Sequence, residues 1–236
     1  MGNAYVMDLI LEGVAPGILR SVSEDTEGSV ADGKLLVAPT DPAEVRKLYD
    51  AWAERYEEEV EAWDYRTPVD VAELLRGAQP DAAHVLDVGC GTGRSGRALR
   101  AAGFASIVGC DLAPKALAVA EATGMYERVI EVDLQQLPAP FVDDEFDALS
   151  CVGVLTYVPD TEATLREFCR IVRTGGTIVF SQREDVWAER ECRALIDRLV
   201  ADGVCDAVHV SEPRPYLPKN DEMSDVRVVL CVLRNR

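Results

Sequence analysis

Between residues 41 and 63, apolar side chains recur every three or four positions (Val45, Leu48, Tyr49, Trp52, Tyr56, Val60, Trp63), the spacing of one buried helical face. Asp41 stands before Pro42 as an N-cap, with Glu44 completing a capping-box-like start. The acidic run Glu57-Glu58-Glu59-Val60-Glu61 reads as the solvated face of the same helix. A second helix begins at Thr67-Pro68. From Ala83 the pattern changes to short apolar runs separated by helical stretches. It predicts strands at 85–88, 106–110, 129–133, 146–152 and 177–181 and helices near 92–102, 114–122 and 161–172, with Gly103, Gly124 and Gly175-Gly176 as stops. Strands that alternate with helices in this way form a parallel sheet covered on both faces. After a helix at 186–201, strands at 207–210 and 227–233 follow with only a Pro-rich link between them. An antiparallel hairpin closing the sheet edge is therefore expected.

The 236 residues, 48% of them apolar, suit one α/β domain at 41–236 preceded by an extension at 1–40, for which a lid is one reading. A net charge of −18 with no basic cluster argues against nucleic acid and anionic membranes as partners. Seven cysteines without a C-x-x-C pair, and two histidines, give no zinc spacing; no metal site is expected, and the thiols read as reduced and buried. Asp8 and Glu12 interrupt the first apolar stretch, and no run reaches membrane-spanning length, so a soluble cytoplasmic protein is expected, as monomer or homodimer.

The chemistry centres on VLDVGCGTGRSG, residues 85–96. Gly91, Gly93 and Gly96 satisfy the dinucleotide pattern G-x-G-x-x-G, while Asp87 through Gly93 form a different, overlapping pattern. A glycine turn after the first strand lies at the carboxyl ends of the strands, where open sheets bind ligands. Missing side chains admit a ligand to the backbone, and the amides opening the next helix favour an anion, whether pyrophosphate or a methionine carboxylate. Asp111 ends the second strand about 20 residues on, positioned to accept two ribose hydroxyls or simply to cap the helix at Pro114. These features serve NAD and S-adenosylmethionine alike.

The run Val85 to Gly93 closely resembles the first motif of the class I S-adenosylmethionine-dependent methyltransferases, and the likeness continues in order for about 150 residues. It implies a Rossmann-like, doubly wound seven-stranded sheet, mostly parallel with an antiparallel last strand. In that family the second-strand acid, here Asp111, holds the ribose, with Leu112 beside it. The acid ending the third strand, here Asp133, faces the adenine amino group with the backbone of Leu134. FDALSCVGVL (146–155) looks like the fourth-strand motif bordering the methyl group, and LREFCRIVRTGGTIVF (165–180) like the helix, turn and strand that follow. The resemblance thus assigns cofactor contacts to Asp87, Gly89, Cys90, Gly91, Gly93, Asp111, Leu112, Asp133, Leu134, Cys151 and Gly153, within a cofactor-binding core at 81–236. LYDAWAERY (48–56) resembles the N-terminal helix of many small-molecule members. Residues 41–80 would then lie over the active site, with Tyr49 and Tyr56 reaching the cofactor's methionine end; the alternative is that both, with Trp52, are ordinary core. Trp63 to Pro68 resembles a methyltransferase-like subgroup without an assigned substrate.

Methyl transfer from a sulfonium needs mainly in-line orientation and exclusion of water, with S-adenosylhomocysteine as product. Catalytic candidates at strand ends are Tyr157, Arg183, Asp185 and His209. Arg183 either clamps a substrate carboxylate or pairs with neighbouring acids. The Asn-Pro-Pro-Tyr type motif of base and glutamine methylation is replaced by Cys151-Val152-Gly153-Val154, which favours a small-molecule acceptor. No base is placed beside Cys90 or Cys151, so neither reads as a nucleophile. Non-methylating use of the cofactor, such as cyclisation, and a silent cofactor-binding partner protein remain the competing readings.

Overall fold

A computed structural model describes residues 38–236 of the protein; most of the expected extension lies outside the described residues. Three helices come first, α1 (Pro42–Trp52), α2 (Tyr56–Ala62) and α3 (Thr67–Ala78). There follow β1 (His84–Val88), α4 (Arg94–Ala101), β2 (Ser106–Asp111), α5 (Pro114–Ala122), β3 (Arg128–Glu131) and β4 (Phe146–Cys151). A 3₁₀ turn at Leu155–Tyr157 leads to α6 (Thr161–Ile171), β5 (Val172–Arg183), α7 (Glu184–Glu189), α8 (Cys192–Ala201), β6 (Cys205–Val210), β7 (Arg214–Pro215) and β8 (Arg227–Asn235).

The sheet order is β3-β2-β1-β4-β5-β8-β6, with the two-residue β7 also paired to β8. The five strands from β3 to β5 are mutually parallel, and β8 runs antiparallel to β5, β6 and β7. The expected α/β sheet with an antiparallel last strand is present, and the β6–β8 hairpin closes its edge as expected, with β8 inserted between β5 and β6 and β6 outermost; the difference is that the short β7 makes an eighth strand. Burial explains the insertion. Val228 to Leu233 is apolar at every position and 0–3% exposed, as a strand covered on both faces requires, whereas β6 carries exposed Ala207, Val208 and His209.

Alternate strand residues feed two core layers. Leu86, Val108, Leu149, Ile178 and Phe180 pack with Leu165 and Phe168 of α6 and Ile196 and Leu199 of α8. Val85, Ile107, Ala148 and Val179 pack on the opposite face with Val71 and Leu75 of α3 and Leu99 of α4. The strand order reverses between β1 and β4, and the crevice opens there.

Two helices expected to be continuous are each broken. The 41–63 pattern divides at Ala53–Arg55, and Glu57, Glu58 and Glu59 fall in the first turn of α2, where the helix dipole favours acids. The 186–201 helix divides at Glu191, whose φ of +47° is left-handed. Asp41 caps α1 as expected, accepting from the amides of Ala43 and Glu44.

Candidate functional site

The glycine turn follows β1 directly. Amides of Gly89 and Cys90 both donate to the carbonyl of Cys110, at 2.7 and 3.0 Å, tying the turn to β2. Gly89 has φ +69°, and a methyl group there would stand 1.9 Å from Val154 Cγ2. Within the first turn of α4, a methyl on Gly96 would strike the Tyr126 ring at 2.3 Å. The third glycine of the dinucleotide-like pattern therefore serves packing of α4, not ligand approach. Gly93 caps α4 in the left-handed region. Beneath the turn lies Asp87, fully buried, accepting hydroxyl hydrogen bonds from Ser95 (2.6 Å), Tyr126 (2.7 Å) and Ser150 (2.9 Å). Burial outweighs these three donors and pushes its carboxyl up to about 6.

Asp111 ends β2 at the cavity wall and accepts from the amides of Gly91 and Ala113, each at 2.9 Å. Burial raises its pKa against the pull of these amides. The glycine-turn contact is what capping alone would not supply: Asp111 braces the cradle while facing the cavity. Asp133 lies two residues beyond β3, not at its last residue as expected. It accepts from the Gln135 amide (2.9 Å) and the Gln136 side chain (2.8 Å). Its carboxylate and the following Leu134 also line the cavity.

The roof comes from several elements. Tyr49 of α1 stands edge-on to Tyr157 of the 3₁₀ turn at 5.7 Å and donates to its hydroxyl at 3.1 Å. Tyr65, between α2 and α3, meets Tyr216 edge-on at 5.3 Å. Tyr56 packs on Trp52 at 4.7 Å. Glu57 latches α2 onto the turn, accepting from Thr92 Oγ1 at 2.6 Å and from the guanidinium groups of Arg94 and Arg97 at 3.3 and 3.1 Å. The whole encloses about 1080 Å³, including its open mouth.

Of the residues selected from sequence, Tyr49, Tyr56, Gly89, Cys90, Gly91, Asp111, Leu112, Asp133, Leu134, Gly153 and Tyr157 meet at this one cavity. Gly93, Asp87 and Cys151 lie behind its wall. Burial raises the Cys90 and Cys151 thiols, which keeps both protonated. Arg183 does not line the cavity; it is buried and paired with the more exposed Asp185, as the ion-pair alternative expected, although that alternative foresaw a solvated surface. His209 stands exposed on the edge strand β6, away from the cavity. Sequence reasoning missed Tyr65, Gln135 and Tyr216, which also line it. It also missed Arg190, whose guanidinium donates to the carbonyls of Leu155 (2.8 Å), Thr156 (2.9 Å) and Val158 (2.6 Å), clasping the turn that carries Tyr157. Arg190→Ala should cost about 3–5 kcal/mol in urea unfolding, because it strips the donor from three carbonyls of a turn whose residues are all buried. It should leave cofactor affinity within about twofold in a calorimetric titration while lowering kcat, since the residue acts on the roof and not on the cradle. A large fall in cofactor affinity would contradict that separation.

Among the described residues, no helix is long and apolar enough to cross a membrane, and no three His, Cys, Asp or Glu side chains gather as metal ligands.

Comparison with known proteins places this architecture. Residues 86–180 match the family model described as a methyltransferase domain. The chain is 32% identical over 174 residues to human methyltransferase-like protein 27, covering 71% of each chain. It is 32% identical over 148 residues to a ubiquinone biosynthesis O-methyltransferase of Pseudomonas putida, covering 60% of this chain and 62% of that one. The N-methyltransferase NodS of Bradyrhizobium japonicum, solved with S-adenosyl-L-homocysteine, shares the fold with a TM-score of 0.52 and 18% identity, over 70% of this chain and 85% of that one. The chain belongs to the class I S-adenosylmethionine-dependent methyltransferases, and S-adenosylmethionine is its cofactor.

Proposed function

We propose that the protein methylates a small-molecule acceptor, held in the compartment beside Gly153 under the tyrosine roof. The observation that carries this reading is that Tyr49, Tyr65, Tyr157 and Tyr216, from four different segments, line that compartment together, a setting suited to a compact acceptor. A relative named for ubiquinone biosynthesis, itself small-molecule chemistry, supports it, as does the net charge of −18, which repels nucleic acid.

The residues fit the cofactor. Asp111 would accept the ribose hydroxyls, Asp133 and the Leu134 backbone would meet the adenine, and the cradle from Gly89 to Gly91 would take the methionine end, where a side chain at Gly89 has no room. The bound cofactor supplies a methyl group already activated on a sulfonium. The chain's part is to orient the acceptor, exclude water with the tyrosine roof, and keep α2 closed through Glu57.

Calorimetric titration with S-adenosylmethionine, S-adenosylhomocysteine and NAD, followed by detection of S-adenosylhomocysteine with small acceptors, tests the reading. Binding of the first two and turnover with small molecules are expected; turnover on nucleic acid or protein alone would overturn it. Asp111→Ala should weaken both sulfur ligands by about 10- to 150-fold, the value of hydrogen bonds to a charged group at about 1.5–3 kcal/mol. Unchanged affinity would remove the ribose assignment.

A further inference from the structure

We infer that Tyr65 and Tyr216 anchor the acceptor: their two hydroxyls, gathered over Gly153, hold an oxygen of the acceptor that lies beside its nucleophilic atom. The inference rests on the small-molecule reading above and names the contact that fixes the acceptor in place.

The two hydroxyls converge. A methyl placed on Gly153 would stand 3.2 Å from the Tyr65 hydroxyl oxygen and 3.4 Å from that of Tyr216. Two phenols far apart in the chain thus bring their polar tips to one point, above a residue that has no side chain. Their rings meet edge-on with centroids 5.3 Å apart. Gly153 has φ +71°, and its amide is spent on Ser181 Oγ at 2.9 Å, so the backbone below the two oxygens is fixed.

Both rings are held in place. Tyr65 is 6% exposed, and its amide donates to the Val60 carbonyl at 3.1 Å; the Tyr216 amide donates to the Val226 carbonyl at 3.0 Å. The two rings pack in one cluster with Trp52, Val60, Leu217 and Met223. Hydroxyls carried on packed rings have already lost their conformational freedom, so a ligand that bonds to them is spared that cost.

The pair stands at the acceptor's end of the cavity. Tyr65, Gly153 and Tyr216 all line it. In the sheet order β3-β2-β1-β4, the end of β4 that leads to Gly153 is two strands from Asp111 on β2 and three from β3, which precedes Asp133. At about 4.8 Å per strand these separations are about 10 and 14 Å. The acids therefore serve the adenosine, and the phenols serve the other end. A phenol hydroxyl both gives and takes a hydrogen bond, so two at one point grip a hydroxyl or carbonyl oxygen. Donors on an oxygen draw its lone pairs away from attack. The held oxygen is thus for orientation, and a neighbouring atom takes the methyl group.

The test uses the full chain saturated with S-adenosylhomocysteine, its tyrosine rings labelled with carbon-13 for NMR titration. Two pairs of probes differ by oxygen in place of carbon: benzyl alcohol against ethylbenzene, and acetophenone against cumene. In the wild type, the oxygenated probes should shift the Tyr65 and Tyr216 ring signals. Tyr65→Phe and Tyr216→Phe should each weaken benzyl alcohol and acetophenone about fivefold to tenfold and leave the two hydrocarbons within about twofold. S-adenosylhomocysteine affinity should also stay within about twofold, which shows each variant to be folded. Equal loss for both kinds of probe, or no loss for the oxygenated pair, overturns the anchor while small-molecule methylation stands. Oxygenated probes that fail to bind the wild type, or bind it without moving the two signals, overturn the anchor whatever the variants do. If, in addition, no small acceptor yields S-adenosylhomocysteine from S-adenosylmethionine, the small-molecule reading falls with it.

Discussion

Alanine at Gly89 will raise the Kd for S-adenosylmethionine by more than about 100-fold and lower unfolding stability by about 3–5 kcal/mol. Two independent penalties meet at this residue. The backbone sits at φ +69°, where a side chain costs about 1–2 kcal/mol, and the added methyl would stand 1.9 Å from Val154 Cγ2. Val154 cannot yield freely, because it packs against the core below and lines the cavity above. Relief must therefore move either Val154 into the space of the ligand or the turn away from the Cys110 carbonyl that fixes it. The two penalties separate in a double variant. Gly89→Ala with Val154→Ala removes the clash but not the backbone strain, so it should recover most of the lost affinity while remaining about 1–2 kcal/mol less stable than Val154→Ala alone. If the double variant binds no better than Gly89→Ala, contact with Val154 is not what makes glycine necessary.

The sequence was most informative where physics is local. The helix at Pro114–Ala122 has the bounds expected from its proline start and Gly124 stop, and Asp41 caps α1 because cap and amides are three residues apart. The glycine turn and Asp111 were legible as a ligand site for the same reason: one strand end, one turn, one acid at fixed spacing. What escaped depends on contacts between distant segments. Tyr216 lies in a Pro-rich link whose sequence says only that it is irregular, and its meeting with Tyr65 follows from β8 inserting beside β5. Arg190 gave no signal beyond an ordinary helical arginine, although its guanidinium holds three carbonyls some 32–35 residues away in the chain. The acidic run at Glu57 was readable as a solvated face, and part of it is; only the break at Ala53–Arg55 turns Glu57 itself onto Thr92, Arg94 and Arg97.

Removal of the Asp87 carboxylate will be the most damaging single change in the polar interior, and its pH signature will distinguish a charge effect from a packing effect. Asp87→Ala leaves three hydroxyls, those of Ser95, Tyr126 and Ser150, without their buried acceptor, at a cost of about 3–5 kcal/mol. It also loosens the seat of the glycine turn, since Tyr126 receives the Gly96 amide at 2.9 Å while donating to Asp87. Asp87→Asn keeps the shape and removes the charge; with its oxygen toward Ser95 and Tyr126, its amide nitrogen takes the other position and the Ser150 hydroxyl turns to accept. The carboxyl rises from 3.8 to about 6 on folding. A group raised by folding stabilises the native state fully below its unfolded value and loses that contribution as pH climbs through the folded one. At 1.36 kcal/mol per unit the full loss is about 3 kcal/mol, of which about 2 falls between roughly pH 4.5 and 7.5. Urea unfolding of wild type and Asp87→Asn at these two pH values should therefore show the variant gaining about 2 kcal/mol on the wild type at the higher pH. A constant difference between the two proteins would mean that the three hydroxyls fully compensate the buried charge. The carboxylate would then be an ordinary ionised hub, and the base of the glycine turn would carry no electrostatic strain at neutral pH.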